Sequence, residues 1–253
     1  MSDFKGNVAL ITGGNKGLGL EIARQLGQKD VRVVIGSRDA KNGEAAAGKL
    51  KAEGLDARAV KLDVTNPADI AALPGFFQTN YGRLDILVNN AGVNFDFDGE
   101  DPAGWASSTA GTISADSIRK TFEANFIGPV SIAQALLPML KASPAGRIVN
   151  QSSILGSLTL HSDPKSMIYS TKPLGYNASK AALNMFTTHL AYELKGTKVK
   201  VNSAHPGWVK TDMGSSAAPM EIPDGAKTAV MLAMLAEDGP TGGFFHMGER
   251  LPW

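Results

Sequence analysis

The chain has 253 residues, with 25 basic against 24 acidic side chains, enough for one domain with a sizeable core. The balanced charge gives no footprint for nucleic acid or an anionic membrane, and the absence of cysteine excludes disulfides and thiolate metal sites. The first apolar run begins at Val8, leaving no room for a signal peptide, and no apolar run approaches the roughly 18 residues of a membrane span, so a cytoplasmic chain is expected with no metal site.

Strand-like runs fall at Val8–Ile11, Val31–Ser37, Ala57–Leu62, Ile86–Asn89, Arg147–Gln151, Lys198–Ala204 and Gly243–His246, with helical patterns between them. The alternation predicts an α/β fold: a parallel sheet of about seven strands with helices on both faces. With no repeat or linker, residues 1–253 read as a single domain. A ligand is expected beyond the carboxyl ends of the strands.

The first strand runs into Thr12-Gly13-Gly14-Asn15-Lys16-Gly17-Leu18-Gly19 and then a helical segment. Gly13 permits a tight turn, Gly17 lets the backbone approach a pyrophosphate, and Gly19 allows close packing of helix on strand. The free N–H groups of the new helix then face an anion. The second strand ends in Ser37-Arg38-Asp39, where an NAD-binding chain usually carries an acid for the ribose 2′-hydroxyl. Arg38 instead offers a planar fork for a 2′-phosphate, with Lys16 as a second charge. Asp39 reads as the N-cap of the next helix. The pattern favours NADP(H).

The third and fourth strands end in Asp63-Val64 and Asn89-Asn90-Ala91-Gly92. Asp63 is equally readable as a turn residue before Pro67. Residues 94–112 form a polar stretch in which Asp96, Asp98, Glu100 and Asp101 cluster, and Gly99 is misplaced for a calcium loop. A solvated loop at the mouth of the site is expected, with Phe95, Phe97 and Trp105 lining an entrance. Ser114 to Ala142 reads as one long helix. Pro129 inside it deprives the Asn125 carbonyl of its helical donor, which either frees that carbonyl for water or only kinks the helix.

The fifth strand leads into Ser152-Ser153-Ile154-Leu155-Gly156, and Tyr176-Asn177-Ala178-Ser179-Lys180 opens a helix. Tyr176 and Lys180, at i and i+4, share a helix face. A phenol titrates near 10, and a neighbouring ammonium is expected to lower that value and make it a usable acid–base. Tyr169 has its lysine only three residues on and is discounted. The sixth strand ends in His205-Pro206-Gly207-Trp208-Val209-Lys210-Thr211, with His205 read as packed, and Met213 to Pro223 reads as a lid.

Thr-Gly-x-x-x-Gly-x-Gly, Asn-Asn-Ala-Gly, Ser-x-x-Gly and Tyr-x-x-x-Lys at strand ends, in that order, resemble the short-chain dehydrogenase/reductase family over nearly the whole chain. Within it, Thr12 to Gly17, Leu136-Leu137-Pro138 and Thr241 to Trp253 look closest to the NADPH-dependent carbonyl reductases. The resemblance implies a doubly wound Rossmann-type domain and an oxidoreductase reducing a ketone or aldehyde, a small-molecule carbonyl substrate, by hydride transfer. It implies catalytic roles for Asn125, Ser153, Tyr176 and Lys180: Tyr176 gives the proton, Ser153 bonds the substrate oxygen, Lys180 holds the nicotinamide ribose, and Asn125 holds a water linked to Lys180. Ser152 is the alternative serine. Cofactor contacts are implied for Gly13, Asn15, Lys16, Gly17, Leu18, Gly19 and Arg38. They are implied also for Asp63 and Val64 at the adenine, for Asn90, Ala91 and Gly92, and for Pro206, Gly207, Val209 and Thr211 near the carboxamide.

Ser153 and Tyr176 stand 23 apart, more than in many members, so 157–175 reads as an insertion. With 94–112 and 208–223 it is expected to shape the substrate site, where Leu155, His161, Tyr169, Trp208, Met213 and Phe245 are candidates. Substrate, stereochemistry, direction and the choice between monomer and homo-oligomer stay open. The alternatives are an NADPH-binding sensor of the same fold, or reduction of an imine or activated double bond.

Overall fold

The computed structural model describes residues 5–96 and 109–253; the expectations for Phe97, Asp98, Gly99, Glu100, Asp101 and Trp105 lie outside them. Strands β1 (Val8–Thr12), β2 (Arg32–Ser37), β3 (Ala57–Lys61), β4 (Ile86–Asn89), β5 (Arg147–Gln151), β6 (Lys200–Ala204), β7 (Phe244–His246) and β8 (Glu249–Arg250) form one sheet ordered β3-β2-β1-β4-β5-β6-β7-β8. All pairings are parallel except β7–β8. The eighth strand is unforeseen by the sequence reading. Its hairpin turns on Met247 and Gly248, both at positive φ (48° and 92°), where a two-residue turn normally carries Asn-Gly. Sequence-predicted strands begin one or two residues early at Val31, Lys198 and Gly243.

Side chains alternate across the sheet and build two apolar layers. Ala9, Ile11, Val33, Ile35, Val88 and Val149 pack under α1 (Gly17–Gly27), α2 (Ala40–Ala52) and α8 (Ile222–Ala233). Val8, Leu10, Val34, Leu87, Ile148 and Val201 face α3 (Pro67–Asn80), α5 (Gly128–Ala142) and α7 (Leu174–Glu193). Each such valine, leucine or isoleucine, fully buried, contributes about 1.5–3 kcal/mol of transfer free energy. Helix starts follow local chemistry: Asp39 accepts from the Asn42 amide at 2.8 Å, as expected for an N-cap, and Asn66 accepts from the Ala68 amide at 2.9 Å ahead of Pro67.

The predicted Ser114–Ala142 helix is one rod with a wide turn inside it. Ser114 caps α4 (Ala115–Phe122), Glu123–Ile127 is π-helical, and α5 follows directly. The Gly128 amide reaches back to the Glu123 carbonyl, a five-residue step. Residues 157–175 hold a short helix, α6 (Leu158–Ser162), and the Thr159 amide donates to the Trp253 carbonyl at 2.9 Å. The segment read as an irregular lid folds back on itself. Val209 bridges Met220, Lys210 pairs with Glu221, and the Trp208 indole N–H donates to the Gly214 carbonyl at 2.6 Å.

Strand order reverses between β1 and β4, so their two turns meet. The buried Thr12 hydroxyl accepts from the Asn90 amide (3.0 Å) and the Ala91 amide (2.9 Å), and the Asn90 side chain donates back to the Thr12 carbonyl (2.9 Å). Thr12→Val keeps the shape and strands both amides. It is expected to lower unfolding free energy by about 2 kcal/mol, read from urea denaturation; an unchanged midpoint would contradict this role.

Candidate active site

A cleft of about 1950 Å³ lies along the carboxyl ends of the parallel strands, about twice the volume that usually serves a single small ligand. Its floor starts at the glycine turn. Gly13 and Gly17 hold positive φ (62° and 53°). At Gly19 a Cβ would stand 2.5 Å from both the Gly13 carbonyl and the Asn90 side-chain amide, so only glycine lets the helix sit this close. Lys16, the residue ahead of α1, offers no side-chain cap, and the first turn carries no acid. The opening amides of α1 are thus left to an anion. Arg38 stands on the cleft wall without an ion pair among the described residues. Lys16 is also on the wall but pairs with Asp212 of the 208–223 segment at 2.5 Å. Asp63 lines the cleft and also accepts from the Thr65 amide and hydroxyl (3.0 and 2.8 Å), so it is turn residue and wall at once. This donor set fits a dinucleotide bearing a 2′-phosphate.

The remaining residues expected to touch a cofactor reach the same cleft: Asn15, Leu18, Val64, Asn90, Ala91, Gly92, Pro206, Gly207, Val209 and Thr211. So do Ser153, Tyr176 and Lys180. Ser153 hydrogen-bonds the Tyr176 phenol and accepts from the Leu155 amide at 3.2 Å, whereas the Ser152 hydroxyl turns toward the Lys180 carbonyl at 3.4 Å. A Cβ at Gly156 would stand 2.8 Å from the carbonyl carbon of Lys180, so the glycine of Ser-x-x-Gly brings the serine turn against α7. Asn125 is the exception. It is fully buried behind Gly92, where a Cβ would lie 3.4 Å from the Asn125 amide oxygen and 3.6 Å from Lys180 Nζ. Its side chain accepts from the Val93 amide (2.8 Å) and donates to the Val93 carbonyl (2.8 Å) and Ser179 hydroxyl (3.0 Å).

The family model for short chain dehydrogenases matches residues 7–222. The chain belongs to the short-chain dehydrogenase family. It is 34% identical to carbonyl reductase (NADPH) 1 of Mus musculus, covering 97% of this chain and 98% of that protein. It is 33% identical to (+)-neomenthol dehydrogenase of Capsicum annuum, covering 95% and 96%. The crystal structure of NADPH-bound carbonyl reductase from chicken fatty liver superposes with a TM-score of 0.82 at 27% identity, covering 98% of this chain and all of that one.

In this short-chain dehydrogenase the cleft as a whole is largely apolar. Of the candidates read from sequence, Leu155, Trp208 and Met213 line it, together with Phe95. His161, Tyr169 and Phe245 do not. His161 lies behind the wall, with its Nε2 3.0 Å from the Leu155 carbonyl and its Nδ1 3.3 Å from Lys172 Nζ. The Lys172 ammonium sits over the Tyr169 ring, and Phe245 belongs to the sheet core. The sequence reading missed Met167, Ile168, Met220 and Leu251 on the wall, since nothing local marks a loop residue as facing a cleft. It also missed Asp96, placed there in a solvated acidic loop. Asp96 is 2% exposed and accepts from the Gly175 and Tyr176 amides at 2.8 and 2.7 Å.

Burial governs the ionisation of the site. The Tyr176 phenol is pushed up to about 12 by burial, with the Ser153 hydrogen bond pulling the other way. Lys180 is pushed down to about 8 by burial. Its Nζ donates to the Gln151 carbonyl at 2.8 Å and stands 5.5 Å from the centre of the Tyr176 ring. The expected lowering of the phenol by Lys180 is therefore not what this structure has: desolvation raises it and outweighs the Ser153 hydrogen bond. His205, pushed down to about 3 by burial and the adjacent His246, is neutral and accepts from the Ile154 amide at 3.2 Å, in keeping with a packed role.

These positions set the pH dependence of stability. Between about pH 8 and 10.5 the unfolded chain holds a proton that folded Lys180 has lost, so stability rises with pH. From about pH 10 to 12 folded Tyr176 keeps a proton that the unfolded chain loses, so stability falls. A maximum near pH 10 is expected in urea midpoints of the ligand-free protein. Lys180→Met should remove the rising limb, about 3 kcal/mol in all; a limb that survives would place the shift elsewhere.

Proposed function

We propose that this chain reduces the carbonyl of an apolar ketone or aldehyde to an alcohol, with Tyr176 as the proton donor. It is an NADP-dependent oxidoreductase of the C=O/CH–OH class, and the carbonyl reductases among its relatives support the reaction at family level. The observation that carries the finer reading is the meeting of Ser153, Tyr176 and Lys180 in the cleft that the glycine turn and Arg38 enter.

Bound NADPH supplies a hydride. The chain's own residues do the rest. Burial keeps Tyr176 in its O–H form across neutral pH, the form from which a proton passes to the developing alkoxide. Ser153, bonded to that phenol, orients it and offers its hydroxyl to the substrate oxygen. Lys180, one helical turn on, is placed to hold the ribose beside Gly92 and to stabilise the phenolate left after proton transfer. Asn125 fixes the Gly92–Val93 turn and the first part of α7 by its side chain. The walls of Phe95, Leu155, Met167, Ile168, Trp208 and Met213 favour an apolar substrate body.

The test is loss of nicotinamide absorbance with NADPH and NADH across ketones, aldehydes and quinones. Tyr176→Phe is expected to lower kcat at least about 100-fold while NADPH still binds, seen by fluorescence titration. Retained turnover would remove Tyr176 from the role. Arg38→Ala should raise KM for NADPH about tenfold or more and leave that for NADH unchanged, as loss of one charge-assisted bond implies. An equal effect on both cofactors would mean that Arg38 does not read the 2′-phosphate.

A further inference from the structure

Helix α7 begins at Leu174 behind Pro173, and nothing in its own sequence caps it: there is no side-chain cap at Pro173 and no acid in the first turn. Gly175 in that turn is the least helix-favouring choice short of proline. Tyr176 therefore sits in the part of the helix most prone to fraying, while Lys180 lies one turn deeper. The missing cap comes from a distant segment. The Asp96 carboxylate accepts from the Gly175 amide with one oxygen (2.8 Å) and from the Tyr176 amide with the other (2.7 Å). A Cβ at Gly175 would stand 3.2 and 3.3 Å from those oxygens, so the glycine makes the seat.

The same short segment is tied at its other end. Val93 exchanges two hydrogen bonds with the Asn125 side chain, and Asn125 donates to Ser179, whose hydroxyl donates to the Tyr176 carbonyl at 2.7 Å. The backbone of Tyr176 is thus held at its N–H by Asp96 and at its C=O by Ser179; the first hold returns to Asn125 through residues 93–96, the second directly. We propose that Asp96 is a positioning residue for the Tyr176 phenol, capping the catalytic helix from the 94–112 segment and fixing the proton donor against Ser153 and Lys180. The proposal rests on Tyr176 being the proton donor.

Asp96→Ala and Asp96→Asn, each alone and in a Tyr176→Phe background, test it in the full chain. Asp96→Ala should lower kcat about 100-fold, the scale of a misplaced catalytic group, with KM for NADPH unchanged. Asp96→Asn, which keeps one acceptor, should recover about tenfold of that loss and covers the case in which the alanine variant fails to fold. Amide exchange at Gly175 and Tyr176 should quicken about tenfold or more in either variant, while Leu183 to Thr187 keep their protection. In the Tyr176→Phe background, Asp96→Ala should lower residual kcat no more than about twofold. Wild-type kcat in the single variant, unchanged exchange at the two amides, or an equal loss in both backgrounds would overturn the proposal. Full turnover by Tyr176→Phe alone would instead sink the proton-donor reading on which it stands.

Discussion

Two turns that come from different halves of the sheet share one hydroxyl. Thr12 accepts from both amides that follow β4, and α1 rests so closely on this join that Gly19 has no room for a side chain. The groove left between these turns is where strand order reverses, and the open amides of α1 point into it. The later parts of the site are placed relative to this join. Gly92, at the far end of the Asn90 turn, borders both Asn125 and Lys180, so the glycine turn and Lys180 are connected through the three residues 90–92.

The Tyr176 side of the cleft rests on a second close approach, that of the Ser153 turn on α7 at Gly156. Beneath it runs a buried polar chain: Asn89 donates to Asn150, Asn150 to Thr187, and Thr187 shares a hydrogen bond with Ser203, all at 2.8 Å. Asn89, Asn150 and Ser203 lie on the α7 face of the sheet and form this chain with Thr187 of α7, which holds the helix in register on the sheet. Against that rigid support, Tyr176 and Lys180 are held in a medium that disfavours charge on either. Both are set by burial first, and the phenol by its Ser153 hydrogen bond second.

Much of this was legible in the sequence because its chemistry is local. The glycine turn, the Asn-Asn-Ala-Gly turn, the Ser-x-x-Gly turn and the Tyr-x-x-x-Lys spacing each state their geometry within a few residues, and the strand alternation orders them. What escaped the reading depends on distance in the chain. Asp96 and Tyr176 are 80 residues apart, and only the lack of a cap near Pro173 hinted that one must come from elsewhere. The raised phenol needed a knowledge of burial that spacing does not supply, and the placement of His161 and Phe245 off the cleft wall depends on how the inserted segment and the last strands pack. The β8 hairpin was hidden by a Met-Gly turn that lacks the usual residues.

The wide turn at Glu123–Ile127 has a geometric consequence of its own. Successive residues of an α-helix advance by about 100°, so one extra residue in a single turn changes which side chains share a face from there on. The rod therefore shows α7 one stripe along α4 and, past the π turn, shows α3 a different stripe along α5. Asn125, inside that turn, is aimed at Val93 and Ser179 by the shift itself. Removing a single residue from this stretch would restore an ordinary helix and rotate one of its two stripes off its partner, so here chain length itself carries information.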